Sequence, residues 1–386
     1  MSLPPAVEVL IVGAGPVGLT LATGLKQQGI DCLIVDRLAE GANTSRAAVV
    51  HAKTLEALED LSLAETLLQN GLKVTHFCIR DRDRELLRID FSKIASKYQF
   101  VLMIPQNVTE ALIARRLGFL GGHVARSCEV TAVRQEEDSA VVAARLDGKE
   151  CEVRTKLVIG CDGMHSIVRE QAGINFEGGS YEESFVLGDV RMEWPIGREE
   201  GSLFLSSEGL FVVIPLLPDR FRIIARLNDA PPEPTAADFQ KILDERGPAK
   251  QRAHVESLVW SSRFHIHHRV AQTLRKGRSI ILGDAAHVHS PAGGQGMNTG
   301  IQDAVGLSKA LGAVVRGAEV FLLDDWAKDR HEIARRVVAM TDRLTRVATV
   351  SSKPLQELRN GLLALLGHLP FARQAFAENM AELHND

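Results

Sequence analysis

Gly13-Ala14-Gly15-Pro16-Val17-Gly18 spaces its glycines as G-x-G-x-x-G, between the apolar run Val7–Val12 and a stretch of helical periodicity from Pro16 to Gln28. That pattern and setting suit a pyrophosphate. The first glycine permits a tight turn, the second lets the backbone approach the phosphates, and the third lets helix and strand pack closely. Backbone N–H groups at the start of the helix then face the anion. Asp36 closes a second apolar run, Cys32–Val35, eighteen residues past Gly18, with Arg37 beside it. A carboxylate there can hold ribose hydroxyls and disfavours a 2′-phosphate. NADP is therefore disfavoured at this site, while NAD and FAD both stay open.

A second stretch has the same logic. The apolar run Ser279–Leu282 leads into Gly283-Asp284-Ala285-Ala286-His287, then Ser290-Pro291-Ala292-Gly293-Gly294-Gln295-Gly296-Met297-Asn298-Thr299-Gly300. An acid at the end of a buried strand, a glycine-rich loop and a helix start occur together where ligands collect in open α/β sheets. The acid can accept hydrogen bonds from sugar-like hydroxyls, and small residues let a flat ring lie against the backbone. The positive end of a helix beginning near Met297 favours negative charge on that ring. A third stretch, Cys161-Asp162-Gly163-Met164-His165-Ser166-Ile167-Val168-Arg169, follows the apolar run Leu157–Ile159. Alone, its Asp-Gly would read as a plain turn.

In order and separation these stretches resemble the signatures of the class A flavoprotein monooxygenases, the p-hydroxybenzoate hydroxylase and phenol hydroxylase superfamily. The resemblance implies an FAD-dependent aromatic hydroxylase, with NADPH or NADH reducing a non-covalent FAD as a transient co-substrate. It further implies that O2 adds to reduced flavin as a C4a-hydroperoxide, whose distal oxygen passes to a phenolic or polyketide-like ring. By the same resemblance Asp162 supports FAD and nicotinamide binding, and Asp284 holds the ribityl chain. Pro291 and Gly296-Met297-Asn298 line the isoalloxazine ring, with Gly294 in the same loop. Arg46, in Thr44-Ser45-Arg46-Ala47, matches an arginine near the mobile flavin and, with Pro291, is the expected catalytic position. Gln106, in Pro105-Gln106-Asn107-Val108-Thr109-Glu110, matches a glutamine contacting the cofactor. Val50-His51-Ala52-Lys53-Thr54-Leu55-Glu56 leans towards the phenol and polyketide hydroxylase branch. That branch often carries a thioredoxin-like C-terminal domain, for which this sequence leaves no room.

These groups need a frame to hold them. Apolar runs at both ends read as parallel strands buried on both faces. Between them, Ser184 to Arg226 alternates like an antiparallel sheet, Val255 to His268 forms a long strand, and Asp229–Pro234 is a loop. Helical segments are expected over Thr54 to Gln69, from an N-cap at Asn107 with Glu110 three residues on, and from Met297 to the end. The expected class is α/β: a Rossmann-like FAD-binding domain with an inserted antiparallel-β substrate domain and C-terminal helices, as in p-hydroxybenzoate hydroxylase. The expected division is an FAD-binding domain of residues 1–73, 105–180 and 275–345, a β-rich substrate domain of 74–104 and 181–274, and C-terminal helices at 346–386. Phe204, Phe211, Val213 and Pro215 are the candidates for a substrate pocket.

Composition narrows the classes. The chain has 386 residues, 45% apolar and 24% charged, with a net charge of −4, so neither nucleic acid nor an anionic membrane is an expected partner. Five cysteines form no C-x-x-C pair, and the N-terminus lacks a signal-type start, which points to a reduced, cytoplasmic setting. No carboxylate or thiolate cluster accompanies His265, His267, His268, His287 and His289, so no metal site is expected. Ser166 lacks a G-x-S-x-G context, which argues against a hydrolase. A NAD-dependent dehydrogenase would leave Asp162-Gly163 and the Gly283-Asp284 loop unexplained. A flavin-dependent halogenase or prenyl reductase could share the fold, although Glu193-Trp194-Pro195-Ile196 only echoes the halogenase W-x-W-x-I-P element. A non-catalytic flavin-binding protein is the remaining alternative.

Overall fold

Three sheets, the third a small one of Val49–Val50, Val101–Met103 and Leu72–Val74, and a helical C-terminal part frame a cavity in the computed structural model, which describes residues 3–41, 47–227, 229–350 and 352–383. In the first sheet the strand Ala6–Val12 runs parallel between Cys32–Val35 and Lys149–Gly160. Ser279–Ile281 lies parallel beyond Lys149–Gly160, and Val124–Ala125 beyond Cys32–Val35. Leu10, Ile11, Ile34, Val158, Ile159 and Ile280 are all buried in the resulting core, as strands covered on both faces require. All three chemistry-bearing stretches leave this sheet at neighbouring strand ends. The α/β class and its parallel sheet are as expected.

The second sheet is antiparallel except where Glu200–Ser206 runs parallel to His76–Asp81. Its alternation gives two unlike faces. One buries Phe204, Phe211 and Val213 against Phe239 and Leu243 of the helix Ala236–Arg246. Thr235 starts that helix with a capping box, its side chain and that of Asp238 bonding each other's backbone N–H. The other face carries Leu203, Leu205, Val212, Ile214 and Ile224 towards the cavity.

Local details depart from the sequence pattern in two places. The helix expected from an Asn107 cap is Gln106–Phe119, with Pro105 at its N-cap and no side-chain cap. Proline fits there because the first N–H groups of a helix lack intrahelical partners anyway. The helical stretch over Thr54 to Gln69 divides into Ala52–Glu59 and Ala64–Asn70, parted by a turn with Ser62 at φ 57. Among the described residues no helix is long and apolar enough to cross a membrane.

The C-terminal helices Lys353–Gly367 and Pro370–Met380 return the chain to the helix Gly296–Val315. There Glu382 is buried and accepts hydrogen bonds from Gln302 and from Thr299 (3.4 Å). Burial pushes its carboxyl up to about 8, against the pull of Gln302 and Arg330. The fold therefore keeps a proton that the unfolded chain releases near its ordinary value of 4.5, and stability falls as pH rises between those limits. Glu382→Gln should remove that slope, about 1.4 kcal/mol per pH unit. Denaturant unfolding at pH 5 and pH 8 should show the variant gaining on wild type. A constant difference would mean that Glu382 is ionised in the fold.

Candidate active site

One cavity of ≈ 1570 Å³ runs from Gly15 to the apolar face of the second sheet. Single-ligand pockets span about 300–1,000 Å³, so this one has room for two molecules. At one end the three fingerprint glycines do different work. Gly13 has φ +100, and a Cβ there would stand 2.3 Å from the Cys161 carbonyl oxygen. A Cβ on Gly18 would stand 2.0 Å from the Gly13 carbonyl oxygen. At Gly15 a Cβ would meet nothing within 4 Å, so the second glycine alone opens onto free space at the helix start. Asp36 accepts from Ala14 N–H (2.7 Å) and Leu38 N–H (2.8 Å) and lies 3.8 Å from Arg126. It holds the turn without lining the cavity, whereas Arg37 lines it.

At the other end a closed set of hydrogen bonds fixes the glycine-rich loop. The Asn298 amide donates to the carbonyls of Val49 (2.9 Å) and Gly294 (2.8 Å) and accepts from His51 N–H (2.9 Å). The His51 ring bonds the Gly293 carbonyl at 2.8 Å, so Nε2 carries the proton. Gly293 and Gly294, at φ +81 and +69, allow both carbonyls to turn this way. The first intrahelical bond is Thr299 N–H to Gln295, which leaves earlier N–H groups of that turn without a helical acceptor. Asp284, Pro291, Gly294, Gly296 and Met297 line the cavity beside them, while Asn298 is wholly buried behind the wall.

Two histidines on this wall are uncharged at neutral pH. Burial lowers His51 to about 4, against the bond to Gly293, and lowers His289 to about 4 with help from nearby His287. His287 bonds Asp303 at 3.0 Å. Burial opposes ionisation of Asp303, but Arg330 and His287 outweigh it and hold the carboxyl below its ordinary value. Among the described residues no cluster is placed to hold a metal ion.

The Asp-Gly element acts as a brace. Asp162 Oδ2 accepts from Ile167 N–H (2.8 Å) at the start of the helix Ile167–Gln171, and Ser166 caps Arg169 N–H (3.0 Å). Burial raises the Asp162 carboxyl despite these bonds. Its Oδ1 is buried without a hydrogen-bond partner among the described residues. Arg169 donates to the carbonyls of Met164 (2.9 Å) and Ala285 (3.0 Å), tying this element to the Gly283-Asp284 turn. Gln106 lines the cavity, accepts from Ala47 N–H (3.1 Å) and donates to Glu110 (2.8 Å). Arg46 lies outside the described residues.

The substrate candidates fall on the wrong side of the sheet. Phe204 stacks on Phe211 at 4.5 Å, and both, with Val213, face the helix Ala236–Arg246. Pro215 is not part of the cavity wall either. In each strand the wall residue is the neighbour, because side chains alternate faces and a shift of one residue exchanges them. The pairs Leu203↔Val212 and Val212↔Ile224 form the wall row. Sequence reading also missed His51, His289 and buried Arg222. His51 stands in the Val50–Glu56 stretch that carried the branch resemblance, the one signal that could have marked it.

The chain matches the family described as "FAD binding domain" over residues 6–341. It is 36% identical over 349 residues to 6-methylpretetramide 4-monooxygenase of Streptomyces rimosus, covering 88% of this chain and 62% of that protein. The solved anhydrotetracycline hydroxylase of Streptomyces rimosus superposes with a TM-score of 0.82 at 34% identity, over 98% of this chain and 76% of that one. The p-nitrophenol 4-monooxygenase of Pseudomonas putida DLL-E4 superposes with a TM-score of 0.87, over 98% of this chain and 99% of that one. At 23% identity, the last shows likeness of fold.

The site fits FAD by its own geometry: open space at Gly15 for a pyrophosphate, and a flat glycine wall under a helix start for the ring. Gly15→Val should therefore fold, with wild-type circular dichroism, yet weaken FAD binding at least about tenfold, or ~1.4 kcal/mol. Gly18→Val should fail to fold. Undiminished FAD affinity in folded Gly15→Val, measured by fluorescence titration, would remove the pyrophosphate from this place.

Proposed function

We propose, from the premise that this chain belongs to the FAD-binding-domain family of flavoprotein monooxygenases, that it hydroxylates an electron-rich aromatic ring, using NAD(P)H and O2. The observation that carries this reading is the continuity of one cavity from the fingerprint glycine to an apolar sheet face. When bound, FAD supplies hydride acceptance from NAD(P)H and oxygen activation. The chain's residues bind, orient and exclude water. Gly15 and the helix start behind it receive the pyrophosphate. Asp284 accepts hydrogen bonds from the ribityl hydroxyls. The N–H groups at the start of Gly296–Val315 favour negative charge on the ring edge. Pro291 and Met297, on the same wall, would lie against the ring, and Leu203, Leu205, Val212, Ile214 and Ile224 would keep water from the reacting centre.

Uncharged His51 and His289 put no competing cation beside that ring. Arg222 is held by Asp189 (2.7 and 3.0 Å) and donates to the Ala47 carbonyl (3.0 Å), fixing the chain just after the Arg46 segment. Five free cysteines support a reducing, cytoplasmic location.

Arg46 is proposed to control when the flavin is reduced, on its sequence match alone. Reduction without substrate wastes reductant, so a gate has a physical purpose. Anaerobic stopped-flow absorbance should show faster flavin reduction by NAD(P)H in the presence of an aromatic substrate. Arg46→Ala should shrink that ratio with FAD still bound. Equal rates with and without a substrate whose hydroxylated product is verified would refute the gate.

A further inference from the structure

The described residues of the cavity wall carry five arginines (Arg37, Arg222, Arg336, Arg343 and Arg359) and a single carboxylate, Asp284. That is an unexpected balance in a chain of net charge −4. A cleft lined by one sign of charge concentrates ligands of the other. Two of these cations are held by protein partners, and a third, Arg37, is exposed at the Gly15 end of the cavity. Arg222 is paired with Asp189. Arg359 donates to the carbonyls of Val347 and Ala348 and to Asn360.

Arg336 and Arg343 stand apart from these, on the helix Phe321–Ala348. Both are exposed, and neither makes a hydrogen bond or ion pair among the described residues. The carboxylate nearest in sequence to Arg343 is Asp342, which takes Arg346 (2.9 Å) and the Tyr181 hydroxyl instead. The two free arginines sit seven residues apart on one face of the helix Phe321–Ala348, about 10.5 Å along its axis. They can flank one edge of a ring system more readily than grip a single carboxylate. Their neighbours on that face of the cavity mouth are apolar: Met340, Leu344 and Val347, with Leu355 and Leu358 on the next helix. A dinucleotide's phosphates could use the two arginines but would gain nothing from that apolar surface. An acid built on aromatic rings would find both a cation and an apolar surface.

We propose that Arg336 and Arg343 recognise the ionised edge of an acidic aromatic substrate, a carboxylate or an ionised phenol or enol, whose rings extend inward along the apolar sheet face. This rests on the hydroxylase reading above and adds the charge and orientation of the substrate.

The test uses the FAD-loaded protein and a matched pair of probes, 1-hydroxy-2-naphthoate and its methyl ester, titrated by the change in flavin absorbance. Wild type should bind the acid at least about tenfold more tightly, and the preference should shrink at high ionic strength. Arg336→Gln and Arg343→Gln should each reduce the ratio, and the double variant should bring it close to one. Arg335→Gln, an exposed arginine outside the cavity wall, should leave it unchanged. Equal binding of acid and ester by wild type overturns the proposal. So does a double variant that keeps the preference, or one that loses only affinity for NADP+, which would assign these arginines to a dinucleotide. A wild-type flavin that neither NADH nor NADPH reduces, even with an aromatic acid bound, overturns the hydroxylase reading, and this proposal with it.

Discussion

Asn298 joins segments that are far apart in sequence. Its amide holds the carbonyls of Val49 and Gly294, while its oxygen receives the N–H of His51. Through these bonds the start of the helix Gly296–Val315 is fixed to the short strand Val49–Val50, and the glycine loop between them is pinned at two carbonyls. A loop with two left-handed glycines has much conformational freedom to lose. Here that freedom is removed by a buried set of bonds, each partner of which would be costly to leave unmet. With both loop carbonyls bonded in this way, the helix start, whose first N–H groups have no helical acceptor among the described residues, stands at the wall. The proposed ring-binding end of the site depends on that constraint.

The rest of the frame serves the same end by other means. Arg169 ties the Asp-Gly element to the Ala285 carbonyl, so the Asp284 turn cannot move independently of the strand Lys149–Gly160. Gln106 and Arg222 hold Ala47 from two sides. Glu382, protonated and buried under the same helix, brings the end of the chain into that support. The site is thus braced chiefly by backbone carbonyls and amides, bonded by a few side chains.

What the sequence disclosed follows from this division. Glycine positions, strand-end acids and buried parallel runs have local causes, and these were readable: the parallel sheet, the fingerprint turn and the helix start at Gly296 are where spacing puts them. The identity of the Asn298 and His51 partners was not readable, since those bonds span more than two hundred residues of chain. The choice of Phe204, Phe211 and Val213 failed for another reason. Alternation identifies two faces but not which of them a later helix will cover, and Ala236–Arg246 covers the aromatic one. The bulkier side chains fill a closed core, and the aliphatic ones are left to the cavity.

In the function proposed above, one cavity brings an FAD ring and an aromatic substrate together so that an oxygen atom from O2 passes between them. Turnover under 18O2, with mass analysis of the aromatic product, tests that most directly. Each product molecule should carry one 18O atom, with NAD(P)H oxidised in proportion. Product formed with oxygen from water, or NAD(P)H consumed with no labelled product for any aromatic compound that binds, would contradict it.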